Sequence, residues 1–259
     1  MYEATVVNMD LLLQQQERLR REFDREPFKY IVIDNFLRED AAQSIFSEFP
    51  SVNRDWVDAR GLHTQNKWTC PVVDKGVAAK FVLEVNSPEF LSFLESITGV
   101  PQILKDPTLL GAGYHQTTAG GFLNVHVDFN KHHDDLGLDR RLNMIVYFNK
   151  RWNEANGGYL ELWDMGEKKR LENISPVFNR CVIFETNEVS FHGHPVPVNV
   201  DQGESRKSLS IYYYSRGRSD ILPVAPHNTI YVNTESWRGI PKIVVNGVKH
   251  AFRKLRQRP

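Results

Sequence analysis

The sequence predicts a mainly β domain, a sandwich or barrel, with flanking helices. Beyond Pro101 the chain is a series of short apolar or alternating runs separated by Gly, Asn and Pro, a texture that favours a sandwich or barrel over βαβ units. Before that point several stretches carry helical periodicity instead. At 259 residues the chain is long enough for one large β-rich domain with its own core. We divide it into N-terminal helices with an opening strand (1–106), a β core (107–217) and a C-terminal extension with a basic tail (218–259).

From the N-terminus, Leu11, Leu12, Gln15, Leu19 and Phe23 fall near helical spacing, with Arg18, Arg20 and Arg21 mostly on another face. This predicts an amphipathic helix over Met9 to Phe23, laid on a sheet. Pro27 to Phe36 (PFKYIVIDNF) is a β-branched run and predicts a mostly buried strand, with Tyr30, Val32 and Asp34 set against Ile31 and Ile33. A helix follows from Leu37 to Phe49, stopped by Pro50. Ser51 to Pro71, which holds Trp56, His63 and Trp68, lacks clean periodicity and reads as long connections able to carry substrate contacts.

The next helix has a full set of end signals. Ser87 caps it, Pro88 takes the first helical position, Phe90, Leu91, Phe93 and Leu94 are its apolar positions, and Gly99 closes it. The predicted core strands are Thr108 to Gln116, Phe122 to Phe129, Leu142 to Phe148, Tyr159 to Trp163, Arg180 to Glu185 and Ser208 to Ser215. Turn-rich pieces at Asn153 to Gly158, Asn173 to Pro176 and Asn199 to Glu204 separate them. Near the end, Ile243 to Val248 reads as a hairpin turning at Asn246-Gly247.

Composition narrows the partners. Lys plus Arg total 32 and Asp plus Glu total 32, so the chain as a whole is not drawn to nucleic acid or to an anionic membrane. The stretch from Pro241 onward holds six basic residues and no acid, which reads as a solvated tail. No run approaches the roughly 20 apolar residues of a membrane span. Two cysteines, Cys70 and Cys181, make neither a disulfide framework nor a cysteine zinc site. The opening residues do not read as a signal peptide. The expectation is a soluble, cytoplasmic protein.

The chemistry starts at Gly120 to Phe129 (GGFLNVHVDF). Alternation puts Asn124, His126 and Asp128 on one strand face and Leu123, Val125, Val127 and Phe129 on the other. A second His-x-Asp pair, His132 and Asp134, lies among consecutive polar residues where no strand would fix the ligand directions. Downstream, FETNEVSFHGHPVP offers His192 and His194. Two histidines and a carboxylate make a facial triad that binds iron(II) and leaves coordination positions open.

Two further signals accompany the triad. Arg206 and Ser208, in RKS fourteen residues after His192, face the same way along a strand. An arginine grips a carboxylate with two parallel hydrogen bonds and the serine adds a third, so this is a dicarboxylate anchor. Tyr147 shares a strand face with Asn143 and Ile145, and its phenol could reach the same carboxylate.

The order HVDF, IVYFNKRWNEANGGYLELWD, NRCVIFETNEVSFHGHPVPV and RKSLSIYYYS resembles the 2-oxoglutarate and iron(II)-dependent oxygenases of the prolyl 4-hydroxylase-like group. The resemblance runs from about Leu109 to Ser215, with PFKYIVIDNFL similar to the usual opening strand. It implies a double-stranded β-helix (jelly-roll, cupin-like) core in 107–217. It implies iron(II), 2-oxoglutarate and O2 as metal, cosubstrate and oxidant. His126, Asp128 and His192 become iron ligands, Arg206 the partner of the distal carboxylate of 2-oxoglutarate, and Tyr147 and Ser208 its neighbours.

One departure is the distal histidine, where many members have His-x-Val and this chain has His-Gly-His. His192 is chosen because Ser-Phe-His-Gly directly follows the strand end and matches the subgroup's pattern. The implied reaction is hydroxylation of an unactivated carbon, since halogenases of related fold lack the carboxylate that Asp128 supplies; desaturation or ring closure stays open, and the alternatives are an iron oxygenase that needs no 2-oxoglutarate or a non-catalytic β-sandwich binding module. The expected substrate is a small molecule or a free or carrier-bound amino acid. Gln116 and Asn124 are candidate pocket residues. Ser51 to Pro71 and Lys131 to Arg141 form the expected lid and rim, and Arg140 and Arg141 either meet an acidic group or are structural. Trp152 and Trp163 are expected to pack.

Overall fold

A computed structural model of the chain describes residues 5–72, 75–218, 224–232 and 234. The hairpin expected at Ile243 to Val248 and the basic tail from Pro241 lie outside the described residues.

The helices come first and lie on one side. Helix α1 (Met9–Gln14) and α2 (Gln16–Phe23) split the single helix expected there, with Gln15 at the junction. Strand β1 is Tyr30–Asp34 and helix α3 is Glu39–Glu48. The stretch read as connections holds two strands, β2 (Val57–Asp58) and β3 (Thr64–Cys70). Helix α4 (Gly76–Val85) was not expected; its N-cap, Lys75, makes no side-chain capping bond. In α5 (Pro88–Thr98) the Ser87 side chain accepts from the Phe90 N–H, Pro88 opens the helix, and Gly99 closes it at φ +70°.

The core strands follow as β4 (Leu104–Lys105), β5 (Gly113–Val127), β6 (Leu138–Tyr147), β7 (Leu160–Asp164), β8 (Lys169–Ile174), β9 (Arg180–Glu185), β10 (Phe191–His194), β11 (Ser205–Arg216) and β12 (Ile230–Tyr231). The path β1-β9-β6-β11-β5-β10-β7-β8 forms one curled sheet whose pairs are antiparallel. The curl comes from β5, which pairs β11 through Gly113 to Thr118 and β10 through Leu123 to His126. It thereby joins two facing sheets, as in a double-stranded β-helix.

The two strands expected at Thr108 to Gln116 and Phe122 to Phe129 are therefore one bent strand. Its bend is at Gly120-Gly121. Gly120 sits at φ +73°, and a Cβ on Gly121 would lie 2.5 Å from Thr117 Cγ2 and 2.8 Å from the Thr118 carbonyl oxygen. Only glycine fits both demands. The rim expected over Lys131 to Arg141 also gives up its last four residues to β6, which starts at Leu138.

Alternation along these strands makes two main cores, beside a small cluster of Val125, Val127, Phe191 and Val232. Ile31, Ile33, Cys181, Ile183, Met144, Val146, Leu209 and Ile211 belong to one cluster with Leu19, Phe23, Phe81, Phe90 and Leu94 of the helices. Between the sheets, Tyr30, Val182, Phe184, Tyr147, Leu160 and Leu162 form a second. Each fully buried Leu or Phe contributes about 1.5–3 kcal/mol relative to exposure. The helices thus stiffen the outside of the large sheet, while its inner face is left to carry polar groups. No described helix is long and apolar enough to cross a membrane.

Candidate active site

Strand β5 carries His126 near its end and Asp128 just beyond it, and β10 runs antiparallel beside them with His192 opposite His126. The imidazole centroids are 4.4 Å apart. His126 Nε2 lies 3.5 Å from Asp128 Oδ1, and His192 Nε2 lies 3.5 Å from Asp128 Oδ2. One ligand atom from each of the three residues fits within a mutual separation of 4.8 Å.

Both rings are oriented from behind. His126 Nδ1 is 2.9 Å from the Asn124 carbonyl and His192 Nδ1 is 2.9 Å from the Ser190 carbonyl. A carbonyl only accepts, so each Nδ1 carries the hydrogen and each Nε2 keeps its lone pair for the shared space. Burial, with His126 alongside, lowers the His192 pKa to about 4 and keeps that ring neutral. Burial would raise the Asp128 carboxyl, but Arg140, His126 and His192 together hold it well below the usual carboxylate range. Two imidazole nitrogens and one carboxylate suit a divalent transition metal, so the residues fit the iron(II) the sequence implies.

Behind Asp128 is a polar cluster. Asn143 Nδ2 donates to Asp128 Oδ2 at 2.7 Å, and Arg140 Nη2 approaches the same oxygen at 3.2 Å. Arg140 also donates to Asn143 Oδ1 from Nε (3.1 Å) and Nη2 (2.6 Å). Its guanidinium lies over Tyr212 at 3.7 Å and over Phe129 at 4.4 Å. Arg140 is thus structural, orienting the carboxylate, and so is Arg141, which donates to Ser215 Oγ at 3.0 Å.

The residues expected to anchor a carboxylate lie on β11 and β6. Arg206 is buried, donates from Nε to the Gly158 carbonyl at 2.6 Å and from Nη2 to Tyr147 Oη at 3.2 Å. Tyr147 is fully buried, and burial raises its pKa. Ser208 pairs across the sheet with Tyr147 and shares its face. Arg206, Tyr147 and Ser208 therefore meet on the inner face. Gly158 is required there, because a Cβ would sit 3.1 Å from Arg206 Cδ and 2.8 Å from Val198 Cγ2.

Other expected site residues are used differently. Gln116 donates to the Pro50 carbonyl and accepts from Ser205 Oγ, both at 2.6 Å. The pocket role expected for it is corrected, because Thr117, opposite Arg206, takes the inner face and Gln116 the outer. Asn124 Nδ2 sits 3.3 Å from His63 Nδ1. His132 turns to Asp106 at 3.3 Å, away from any triad. His194 is buried, lies outside the group that could hold a metal, and neither ring nitrogen has a hydrogen-bond partner among the described residues. Trp152 and Trp163 donate to the Gly157 carbonyl and Glu161.

Sequence reasoning missed three groups. Lys67 and His115 reach the inner face from β3 and β5, and the alternation of TQNKWTC was the available signal. Tyr231 of β12 lies 5.3 Å from the His126 ring and stacks on His63 at 4.6 Å. No local pattern announced that contact. The support of Asp128 by Asn143 was visible only as a shared strand face.

A curled antiparallel sheet carries a two-histidine, one-carboxylate cluster and a buried arginine between its faces, the arrangement a non-haem iron oxygenase needs. Residues 112–214 match the family model of the 2OG-Fe(II) oxygenase superfamily. That segment is similar to 2-oxoglutarate and iron(II)-dependent oxygenases, and the His126, Asp128 and His192 cluster fits the metal such enzymes use.

Curated relatives include Prolyl 3-hydroxylase OGFOD1 of Mus musculus, 35% identical over 86 residues, or 32% of this chain and 15% of the relative. The Xenopus laevis protein of that name is 31% identical over 86 residues, 32% of this chain and 16% of its own length. The matched segment is thus a small part of those relatives. Among solved structures, a Trichoplax adhaerens prolyl hydroxylase in complex with a hypoxia inducible factor peptide has a TM-score of 0.58 at 18% identity, covering 83% of this chain and 94% of that one. A Pseudomonas putida prolyl-4-hydroxylase has a TM-score of 0.54 at 18% identity, covering 76% and 99%. These likenesses are of fold.

Proposed function

We propose that the protein hydroxylates an unactivated carbon of a small-molecule or amino-acid-type substrate. In this reading His126, Asp128 and His192 hold iron(II), while Arg206, Tyr147 and Ser208 hold the far carboxylate of 2-oxoglutarate. When bound, the pair supplies the oxidation: one atom of O2 enters the C–H bond as hydroxyl, and the other enters 2-oxoglutarate as it becomes succinate and CO2. The chain's part is to orient the ligands, keep the His192 imidazole neutral and shield the cavity.

The observation that carries the reading is the Arg206–Tyr147 pair, buried on the inner face with part of the guanidinium fork unused. A facial triad alone serves many iron oxygenases, whereas a buried arginine with no carboxylate against it among the described residues suits a cosubstrate that brings one. A small substrate is supported by Ile230–Tyr231, which pair β5 at Val127 and His126 and cover that edge beside the triad. A prolyl residue in a peptide is the second reading, favoured by the 35% identity to a prolyl 3-hydroxylase. A reducing, cytoplasmic setting suits the free thiols of Cys70 and Cys181.

The test is succinate release from 2-oxoglutarate in air with iron(II), against panels of free amino acids and proline-containing peptides. Product must form only with iron and 2-oxoglutarate present. His192→Ala should abolish it and His194→Ala should leave measurable turnover; the reverse pattern would move the ligand to His194. Stimulation by peptides alone would select the second reading.

A further inference from the structure

Lys67 projects from β3 into the same interior as Arg206. Its position pairs with Thr117 of β5, and Thr117 pairs in turn with Arg206 of β11, so the three side chains share one face. The ammonium lies 3.2 Å from His115 Nδ1, and His115 Nε2 lies 2.9 Å from the Gly111 carbonyl. The carbonyl fixes the hydrogen on Nε2, which leaves the Nδ1 lone pair to accept one Lys67 proton. Among the described residues the other two ammonium donors have no partner.

Among the described residues no carboxylate pairs with Lys67, although Asp128 attracts it and Arg206 repels it. The side chain keeps some accessible surface, as expected of a group that borders a cavity rather than one packed in solid core. Burial and then Arg206, offset in part by Asp128, bring the Lys67 pKa down to about 8, so it is still charged at neutral pH. His194 adds an independent sign. Its ring is 97% buried within reach of the charges on Arg206 and Lys67, and both nitrogens lack a partner among the described residues. Such groups are costly to bury unless a polar ligand meets them.

Lys67 thus lies within electrostatic reach of both the Arg206 guanidinium and the Asp128 carboxylate. We propose that Lys67, held in place by His115, is a second cationic contact for 2-oxoglutarate, made to the carboxylate nearer the metal ligands. Arg206, Tyr147 and Ser208 already supply the donors for the far carboxylate. The near one needs a counter-charge that the metal and Lys67 share. This rests on the proposed function, and His115 acts through Lys67 as a positioning residue.

The experiment is an anaerobic titration of the iron(II)-loaded full chain, following the visible band of the metal–2-oxo acid chelate. Two probes are used: 2-oxoglutarate, and 2-oxopentanoate, which has the near carboxylate but no far one. Lys67→Met is expected to weaken both by the same factor, about ten- to a hundredfold for a lost charge-assisted hydrogen bond. Arg206→Met should weaken 2-oxoglutarate and leave 2-oxopentanoate alone.

Lys67→Gln, which keeps length and a neutral donor, takes the place of the methionine variant if that one does not fold, and should lose about tenfold on both probes. Unchanged 2-oxoglutarate affinity in the Lys67 variants overturns the proposal. So does a loss confined to 2-oxoglutarate, which would place Lys67 at the far carboxylate. If the wild-type chain binds iron and gives no band with either probe, it is the proposed function that fails.

Discussion

Replacing Asn143 by alanine tests whether the polar cluster behind Asp128 sets metal affinity. The amide donates to Asp128 Oδ2 at 2.7 Å and accepts two bonds from Arg140 at 2.6 and 3.1 Å. Removing it takes one donor from a carboxylate and frees Arg140 to pull that carboxylate toward itself, since Arg140 Nη2 is already 3.2 Å from the same oxygen. A hydrogen bond to a charged group is worth about 1.5–3 kcal/mol, and losing a residue that orients a metal ligand typically costs about 10–100-fold in affinity. The expected result is iron(II) or cobalt(II) binding weakened by about tenfold or more. Chelator competition measures it, with circular dichroism as the check on folding. A variant that is folded and binds metal within twofold of wild type would refute the idea that Asn143 positions Asp128.

Other substitutions probe separate parts of the account. Tyr147→Phe keeps the buried ring and removes only the hydroxyl that accepts from Arg206; 2-oxoglutarate affinity should fall about tenfold, for one lost hydrogen bond at roughly 1–1.5 kcal/mol, as read by titration. Phe90→Ala opens a hole between α5 and the sheet where the ring is 1% exposed, and denaturant unfolding should show a loss of about 3–5 kcal/mol. The pH dependence of the metal-free protein follows from His192, whose pKa falls from the ordinary 6.5 to about 4 on folding. Between those values the unfolded chain holds the proton and the folded one does not, so stability should fall as pH drops through that window, by about 1.4 kcal/mol per unit. Urea titrations of wild type and His192→Asn at pH 6.5 and 4.5 measure it, and equal pH slopes would contradict it.

What could be read in the sequence was whatever depends on short period. His126 and Asp128 two apart on a strand, Arg206 and Ser208 two apart on another, and the end signals of α5 are local facts, and the structure places those side chains as alternation requires. His192 over His194 is also a matter of register, because β10 sets His192 directly opposite His126 and slips before His194. What could not be read depends on distant neighbours. β3 carries Trp68 and Cys70 on its core face but Gln65, Lys67 and Thr69 on the inner one, so TQNKWTC shows only a weak alternation. The bend at Gly120-Gly121 changes which residues of β5 face inward, which is why Gln116 was misplaced. α4 lacks a capping side chain, and β10 is four residues long, too short for any periodicity to show.

The central claim is that the triad and the Arg206 anchor belong to one site that takes a metal and a dicarboxylate together. Adding one equivalent of iron(II) and then 2-oxoglutarate to the purified chain without oxygen tests it most directly. The account predicts a visible metal-to-ligand charge-transfer band that saturates at one 2-oxoglutarate per chain and is lost in His126→Ala. Iron bound with no band on adding 2-oxoglutarate, or a band that survives in His126→Ala, would contradict it.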